Sequence, residues 1–343
     1  MKSIGVRGAS RKLSRKTTLN GIFFWLLTSF LLASASIQAQ QPAARIPVIG
    51  ILLPDTATAY STYVAAFLKG LDDLGYVIGQ NILIEYRYAD GKRDRFPELA
   101  SELARLKVDV IVVAGGTLAA AKQATGTIPI VAATAGDLVA SGYVASLAKP
   151  GGNVTGSTNI DADLSGKRLE VLRDTLPRLS RVALLTFAGN RGDQDELKET
   201  RAAAQSFQVQ VQALEVKDRN GFQSVFGAMR EERADAVIIT NNSFNFAHRR
   251  QVFELTAKYR LPSMCGRDTF VEHGCLISYA GSRRDTFRRA AYFVDKILKG
   301  AKPADLPVQQ PTVFEMVINL KTAKQIGLTI PPNVLARANR VIK

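Results

Sequence analysis

From residue 46 onward, apolar runs of strand length alternate with segments of helical period, and the whole alternation occurs twice. Ile46–Pro54 and Asp109–Gly116 are near-continuous apolar runs, the pattern of strands buried on both faces. Asn81–Tyr88 alternates in the strand manner, and Ile128–Thr134 makes a fourth strand. Between them, Tyr63, Phe67, Leu71 and Leu74 recur at helical spacing up to Gly75, Phe96, Leu99, Leu103 and Leu106 do the same, and Thr117–Ala124 is an alanine-rich helix. This succession implies a parallel sheet with helices on both faces.

The order restarts after Pro150–Gly156. A helix carrying Leu169, Leu172 and Leu176 leads to strands at Arg181–Phe187, Val209–Val216 and Asp235–Thr240, with helical segments between. Leu261–Gly266 repeats the character of Ile128–Ala133. The ending departs from the repeat: a short strand at Cys275–Ala280, a helix with Phe287, Ala290, Ala291, Val294, Ile297 and Leu298 on its core face, and an extended Lys302–Pro307. A strand at Thr312–Ile318, a helix from about Leu320 to Gly327, and a last helix from Pro331 with Leu335, Ala338 and Ile342 on one face complete the chain. The fold class expected is α/β, two doubly wound Rossmann-like lobes in tandem, each large enough to bury a core.

The first 39 residues read differently. Six Lys and Arg and no acid lie within Met1–Asn20, the short apolar run Ile22–Leu32 follows, and small and polar residues lead to Ala39. These are the three parts of a secretory signal peptide, spanning 1–39. The run is far short of the ~20 residues that cross a bilayer, and no cysteine near the cleavage point can carry a lipid. The expectation is an exported, periplasmic protein without a lipid anchor. The chain has 45 Lys and Arg against 30 Asp and Glu; six basic residues in the leader reduce the surplus from 15 to nine. That surplus is diffuse, with no basic cluster interleaved with aromatics, so no nucleic-acid partner is expected. Only two cysteines occur, Cys265 and Cys275; they can bridge in an oxidising compartment or sit as two small buried residues.

Several chemistries are missing. The turn after the first strand, Pro54–Ala59, has no glycine, so the dinucleotide fingerprint is absent where a Rossmann enzyme needs it. The Gly-rich Pro150–Asn153 leads into a strand, not into a helix N-terminus that binds phosphate. His248 and His273 lack partners at metal-ligand spacing and read as surface residues, and no Gly-x-Ser-x-Gly elbow occurs. No cofactor, metal or catalytic set is expected. What remains are polar residues at the carboxyl ends of strands, where open α/β sheets bind ligands. In the first half these are Asp55 and Tyr60, Gly116 with Thr117, and Thr134 with Asp137. Thr117 is placed to cap its helix, and the preceding glycines let a carboxylate approach backbone N–H groups. In the second half they are Asn190, Asn241 and Asn242, and the corner Arg267–Asp268. The asparagines can equally be plain helix caps. Arg267 either grips an acid bidentately or pairs with Asp268 or Asp285.

Four segments carry a resemblance: Ile128-Pro-Ile-Val131, Lys149-Pro-Gly-Gly-Asn-Val-Thr-Gly156, Leu298–Gly300 with Pro303–Pro307, and Phe314–Pro332. Together they resemble the ABC-transporter substrate-binding family that includes tryptophan- and phenylalanine-binding receptors, over about Ile46 to Lys343. The resemblance implies a type I periplasmic-binding fold, a ligand held between two hinged lobes, a membrane ABC permease as partner, and no catalysis. Arg267 stands where the amino-acid binders tend to carry an acidic residue, so the expected ligand is a small organic anion, or an amino acid held by its carboxylate. Lobe 1 is expected at 46–157 and about 283–307, and lobe 2 at about 158–282 and 308–343. The chain would cross near Gly156–Asn159, Ala280–Ser282 and Val308–Thr312. Alternatives on the same scaffold are an exported ligand sensor for a membrane kinase and, less favoured by the missing chemistry, an exported enzyme.

Overall fold

The computed structural model describes residues 45–343, so the leader expected at 1–39 lies outside the described residues. The first lobe is built on β1 (Val48–Leu53), α1 (Ala57–Asp73), β2 (Leu83–Tyr88), α2 (Phe96–Arg105), β3 (Val110–Ala114), α3 (Thr117–Ala124), β4 (Ile130–Ala135) and β5 (Val154–Thr158). Its five strands are all parallel, in the order β2-β1-β3-β4-β5. The apolar runs become strands because both faces are covered: every residue of β3 is buried. Thr56 starts α1 by accepting the Ala59 N–H at 3.3 Å, and Tyr60, Tyr63, Val64, Phe67 and Leu71 form its buried stripe.

The second lobe follows with α4 (Ser165–Thr175), β6 (Arg181–Phe187), α5 (Arg191–Phe207), β7 (Gln210–Val216), α6 (Gly221–Glu231), β8 (Ala236–Ile239), α7 (Ser243–Ala247), α8 (Arg249–Lys258), β9 (Ser263–Cys265), α9 (Asp268–Glu272) and β10 (Ile277–Gly281). The chain then returns to the first lobe as α10 (Arg283–Leu298), which lies along α1 with Phe287, Ala290, Ala291 and Val294 in the shared core. Gly70 permits that approach: a Cβ there would sit 2.5 Å from the Arg288 carbonyl oxygen. Finally β11 (Phe314–Asn319), α11 (Leu320–Ile326), α12 (Pro332–Leu335) and β12 (Arg340–Ile342) complete a seven-stranded sheet in the order β12-β11-β10-β9-β8-β6-β7, with β11 antiparallel to β10.

Three crossings join the two sheets side by side. Gln309 N–H donates to the Gly156 carbonyl at 2.9 Å, Thr158 N–H to the Gln309 carbonyl at 3.0 Å, and Ser282 N–H to the Val313 carbonyl at 2.8 Å. Gly156, at φ 125°, is where β5 passes so close to Ala132 that a side chain would collide with its backbone.

The end of the chain corrects one expectation. The last helix stops at Leu335, and Ile342 lies not on its face but in β12, parallel to β11. Asn339 drives the change: its N–H donates to the Met316 carbonyl and its Oδ1 accepts the Met316 N–H, both at 2.8 Å, so an edge-strand ladder replaces further helical turns. Lys302–Pro307 is likewise not fully extended, since Pro303–Asp305 form a 3₁₀ turn. Cys265 and Cys275, whose pairing the sequence left open, form a disulfide and are both fully buried.

Candidate functional site

The carboxyl ends of both sheets face one cleft of about 1040 Å³. Pro54 and Asp55 after β1, Gly115 and Gly116 after β3, and Thr134 to Asp137 around the end of β4 line it from the first lobe. Asn190 after β6, Asn241 and Asn242 after β8, and Gly266 and Arg267 after β9 line it from the second. The crossings contribute Ala280, Gly281, Gln310 and Pro311. The volume is at the upper end of the roughly 300–1,000 Å³ of small-molecule sites.

One wall is cationic. The Arg267 guanidinium lies 4.3 Å from the centre of the Phe246 ring, and its Nε is buried with no hydrogen-bond partner. Burial, and next the neighbouring charge of Arg283, lower the Arg267 pKa to about 10. No carboxylate stands within salt-bridge distance of Arg267 among the described residues, so the pairing with Asp268 or Asp285 does not form. Arg249 also packs on Phe246, at 4.4 Å, but reaches Asp55 of the opposite lobe at 3.5 Å.

Beside it, against Gly266, the cleft is acidic and internally braced. Arg168, on α4, is fully buried and donates to the Asp161 carboxylate at 2.5 Å, the Glu196 carboxylate at 3.2 Å, and the carbonyls of Asp161 and Tyr279 at 2.9 and 3.0 Å. Gly266 lies directly against it, and a Cβ there would come within 2.6 Å of Nη2. Asp161 accepts further bonds from the side-chain amides of Asn159 and Asn241, at 2.7 and 2.9 Å, and faces the cleft. Asp193 accepts the Phe187 N–H at 2.6 Å and the Asn242 amide at 2.7 Å; burial outweighs these bonds and raises its pKa to about 6. Burial also raises the pKa of Glu196, against the pull of Arg168.

Of the residues expected at the site, Asp55, Gly116, Thr134, Asp137, Asn190, Asn241, Asn242 and Arg267 line the cleft, whereas Tyr60, Thr117 and Asp268 stand behind it. Thr117 does not cap its helix: Gly116 holds the cap position, and the Thr117 hydroxyl turns back onto the carbonyls of Leu52 and Ala114, at 3.1 and 3.0 Å. The Gly115 N–H is also spent, on the Thr134 carbonyl at 2.7 Å. Tyr60 accepts an N–H of Arg283 at 3.2 Å. Asp268 accepts the Tyr63 hydroxyl at 2.7 Å across the lobes; burial, and then the Asp268 charge, keep that phenol protonated well above its usual range. Asn190 and Asn242 do both things considered for them, lining the cleft and capping α5 and α7. His248 is not a plain surface residue, since its ring is half-buried 4.3 Å from that of Phe244.

Asp161, Phe246, Arg249 and Arg283 are cleft residues that sequence reasoning missed. Two of them carried a usable signal. Asp161 and Arg283 each follow a crossing by one or two residues, and a crossing between lobes necessarily borders the space between them.

Two doubly wound lobes, three crossings and one cleft at the carboxyl ends of both sheets define the type I periplasmic-binding fold. The chain belongs to the family described as ABC transporter substrate binding protein, whose model matches residues 48–342. That family consists of extracytoplasmic substrate-binding receptors. A curated relative, the tyrosine-binding protein of Clostridioides difficile (strain R20291), is 24% identical over 268 residues, 76% of this chain and 75% of its own. Among solved structures, the ABC domain in complex with L-Trp from Streptococcus pneumonia is 25% identical with a TM-score of 0.72, covering 86% of this chain and 100% of that one. A conserved domain protein from Vibrio cholerae O1 biovar eltor is 24% identical with a TM-score of 0.75, covering 87% of this chain and 100% of that one.

Proposed function

We propose that this protein is the periplasmic solute receptor of an ABC-type uptake system, delivering a small organic acid or amino acid to a membrane permease. Residues 1–39 direct its export. Its lobes, 46–157 with about 283–307 and about 158–282 with 308–343, close on the ligand about the three crossings. The ligand's carboxylate binds Arg267. The observation that carries this is a guanidinium held on the Phe246 ring at the cleft wall, its Nε buried and without a partner. A half-buried arginine without an ion pair is incomplete, and a carboxylate supplies both the charge and the planar pair of acceptors. The named ligands of the relatives, tyrosine and L-tryptophan, support an amino acid. For an amino acid, Asp161, which also lines the cleft and whose carboxylate lies beside Gly266, receives the ammonium group.

Native mass spectrometry of the protein as purified identifies the retained ligand, and calorimetric titration then compares variants. Arg267→Ala is expected to weaken binding at least tenfold, since losing one buried, hydrogen-bonded charge partner costs about 2–5 kcal/mol. Arg267→Lys recovers only part, because an ammonium cannot reproduce the planar fork. An unchanged Kd for the alanine variant, or a purely cationic ligand, would overturn the reading.

A further inference from the structure

The carboxylate reading makes no use of Arg283, the most buried arginine of the cleft lining. Arg283 opens α10 immediately after the Ala280–Ser282 crossing, lines the same cleft as Arg267, and is only 9% exposed. Its guanidinium lies 5.1 Å from the centre of the Tyr63 ring and 5.7 Å from that of Tyr60. Its hydrogen bond goes to the Tyr60 hydroxyl at 3.2 Å, and its Nε is buried without a partner among the described residues.

The nearby acids make their direct bonds elsewhere, although the Asp268 charge still favours the charged form of both arginines from beyond salt-bridge distance. Asp268 gives one oxygen to the Tyr63 hydroxyl at 2.7 Å and the other to the Thr269 N–H at 2.9 Å. Asp285 pairs with Arg289 at 3.7 Å, and Asp55 pairs with Arg249 at 3.5 Å. Arg267 and Arg283 each stand more than 4.0 Å from any carboxylate oxygen among the described residues, and the buried Nε of each has no partner there. They also feel each other, since Arg283 is the second cause, after burial, of the lowered pKa of Arg267. A single carboxylate pairs directly with one of the two and leaves the other without an ion pair of its own. Two negative groups on one ligand pair directly with both.

We infer that the ligand is a diacid, a small molecule with two carboxylates, one for Arg267 and the second for Arg283. This rests on the carboxylate reading of Arg267 given above and adds to it the second acid group and the residue that selects it.

The test is a calorimetric titration of the full-length exported protein with three matched pairs that differ in one acid group: butyrate and succinate, benzoate and phthalate, glutamine and glutamate. In at least one pair the diacid is expected to bind ten times tighter or more than its monoacid. Arg283→Gln is expected to bring that ratio to about one. Arg283→Lys keeps a charge at the site and is expected to keep part of the ratio, which separates lost recognition from a damaged fold. A wild-type protein that binds no diacid tighter than its monoacid partner, including one that binds none of the six, overturns the inference. Should carboxylates bind in an Arg267-dependent manner with no diacid preference, only the second acid group is refuted. Binding indifferent to Arg267→Ala in every pair overturns the reading beneath it as well.

Discussion

Tyr63→Phe deletes one oxygen atom, and the structure says where its absence is felt. The hydroxyl lies on α1 of the first lobe and donates to Asp268 at the start of α9 of the second, at 2.7 Å. The ring itself packs against Phe287 and Tyr60, with centroids 5.6 and 5.8 Å away, and phenylalanine keeps both contacts. A hydrogen bond to a charged group contributes about 1.5–3 kcal/mol. Asp268 retains the Thr269 N–H and regains water when the hydroxyl is removed, so the lower end, about 1.5 kcal/mol, applies. Because donor and acceptor belong to different lobes, the loss falls on the arrangement in which the lobes are together. It therefore shifts the open–closed equilibrium about tenfold toward open. If the free protein is mostly open, the ligand meets a smaller closed population and Kd rises about tenfold. If it is closed by a narrow margin, the free protein expands and Kd rises by the smaller factor by which the closed fraction falls. Calorimetry and small-angle scattering on one preparation cover both cases. A variant whose Kd and ligand-free radius of gyration both match the wild type would refute the role of this bond as a latch between lobes.

Arg168→Met should lower the unfolding free energy by about 3–5 kcal/mol, because it strands the Asp161 and Glu196 carboxylates without their shared cation. Urea unfolding measures it, and a loss below about 1 kcal/mol would contradict the bracing role. Stability should also depend on pH through Asp193, whose folded-state pKa is raised from 3.8 to about 6. The folded state then holds its proton more tightly than the unfolded one. The resulting stabilisation, on the order of 3 kcal/mol, is fully present below about pH 4 and is lost as pH rises through about 6. Melting temperatures of wild type and Asp193→Asn at about pH 4.5 and 7.5 test this: the wild type should lose more on going up, and equal losses would reject the assignment.

The sheets were legible in the sequence because most of their strands are buried on both faces, which leaves runs such as Val110–Ala114 with no polar position to confuse the reading. The α1 stripe was legible for the complementary reason, since Tyr63, Phe67 and Leu71 share one covered face. Strand ends told where the cleft lies but not which way a side chain turns. Thr117 occupies the right turn and spends its hydroxyl behind it. Arg168 was invisible as a buried brace because its partners Asp161, Glu196 and Tyr279 lie 7, 28 and 111 residues away, and no local spacing announces such a set. The C-terminal strand was missed because its apolar positions fit a helical face equally well, and the deciding group is the single side chain of Asn339.

A ribosome makes this protein in an order that its two halves do not respect. The face of α1 formed by Tyr60, Tyr63, Phe67 and Leu71 is covered by α10, and 223 residues separate Tyr60 from Arg283. At roughly 5–20 residues per second, that apolar face waits on the order of 10–45 seconds for its cover, while the nine strands from β2 to β10 emerge. The second lobe is completed later still, because β11 and β12 are the last strands synthesised. Neither half can therefore finish as the chain grows, and neither can be cut out as a contiguous fragment. The nascent protein has to be kept from aggregating until nearly its final residues are made, and its two cores then close at almost the same moment.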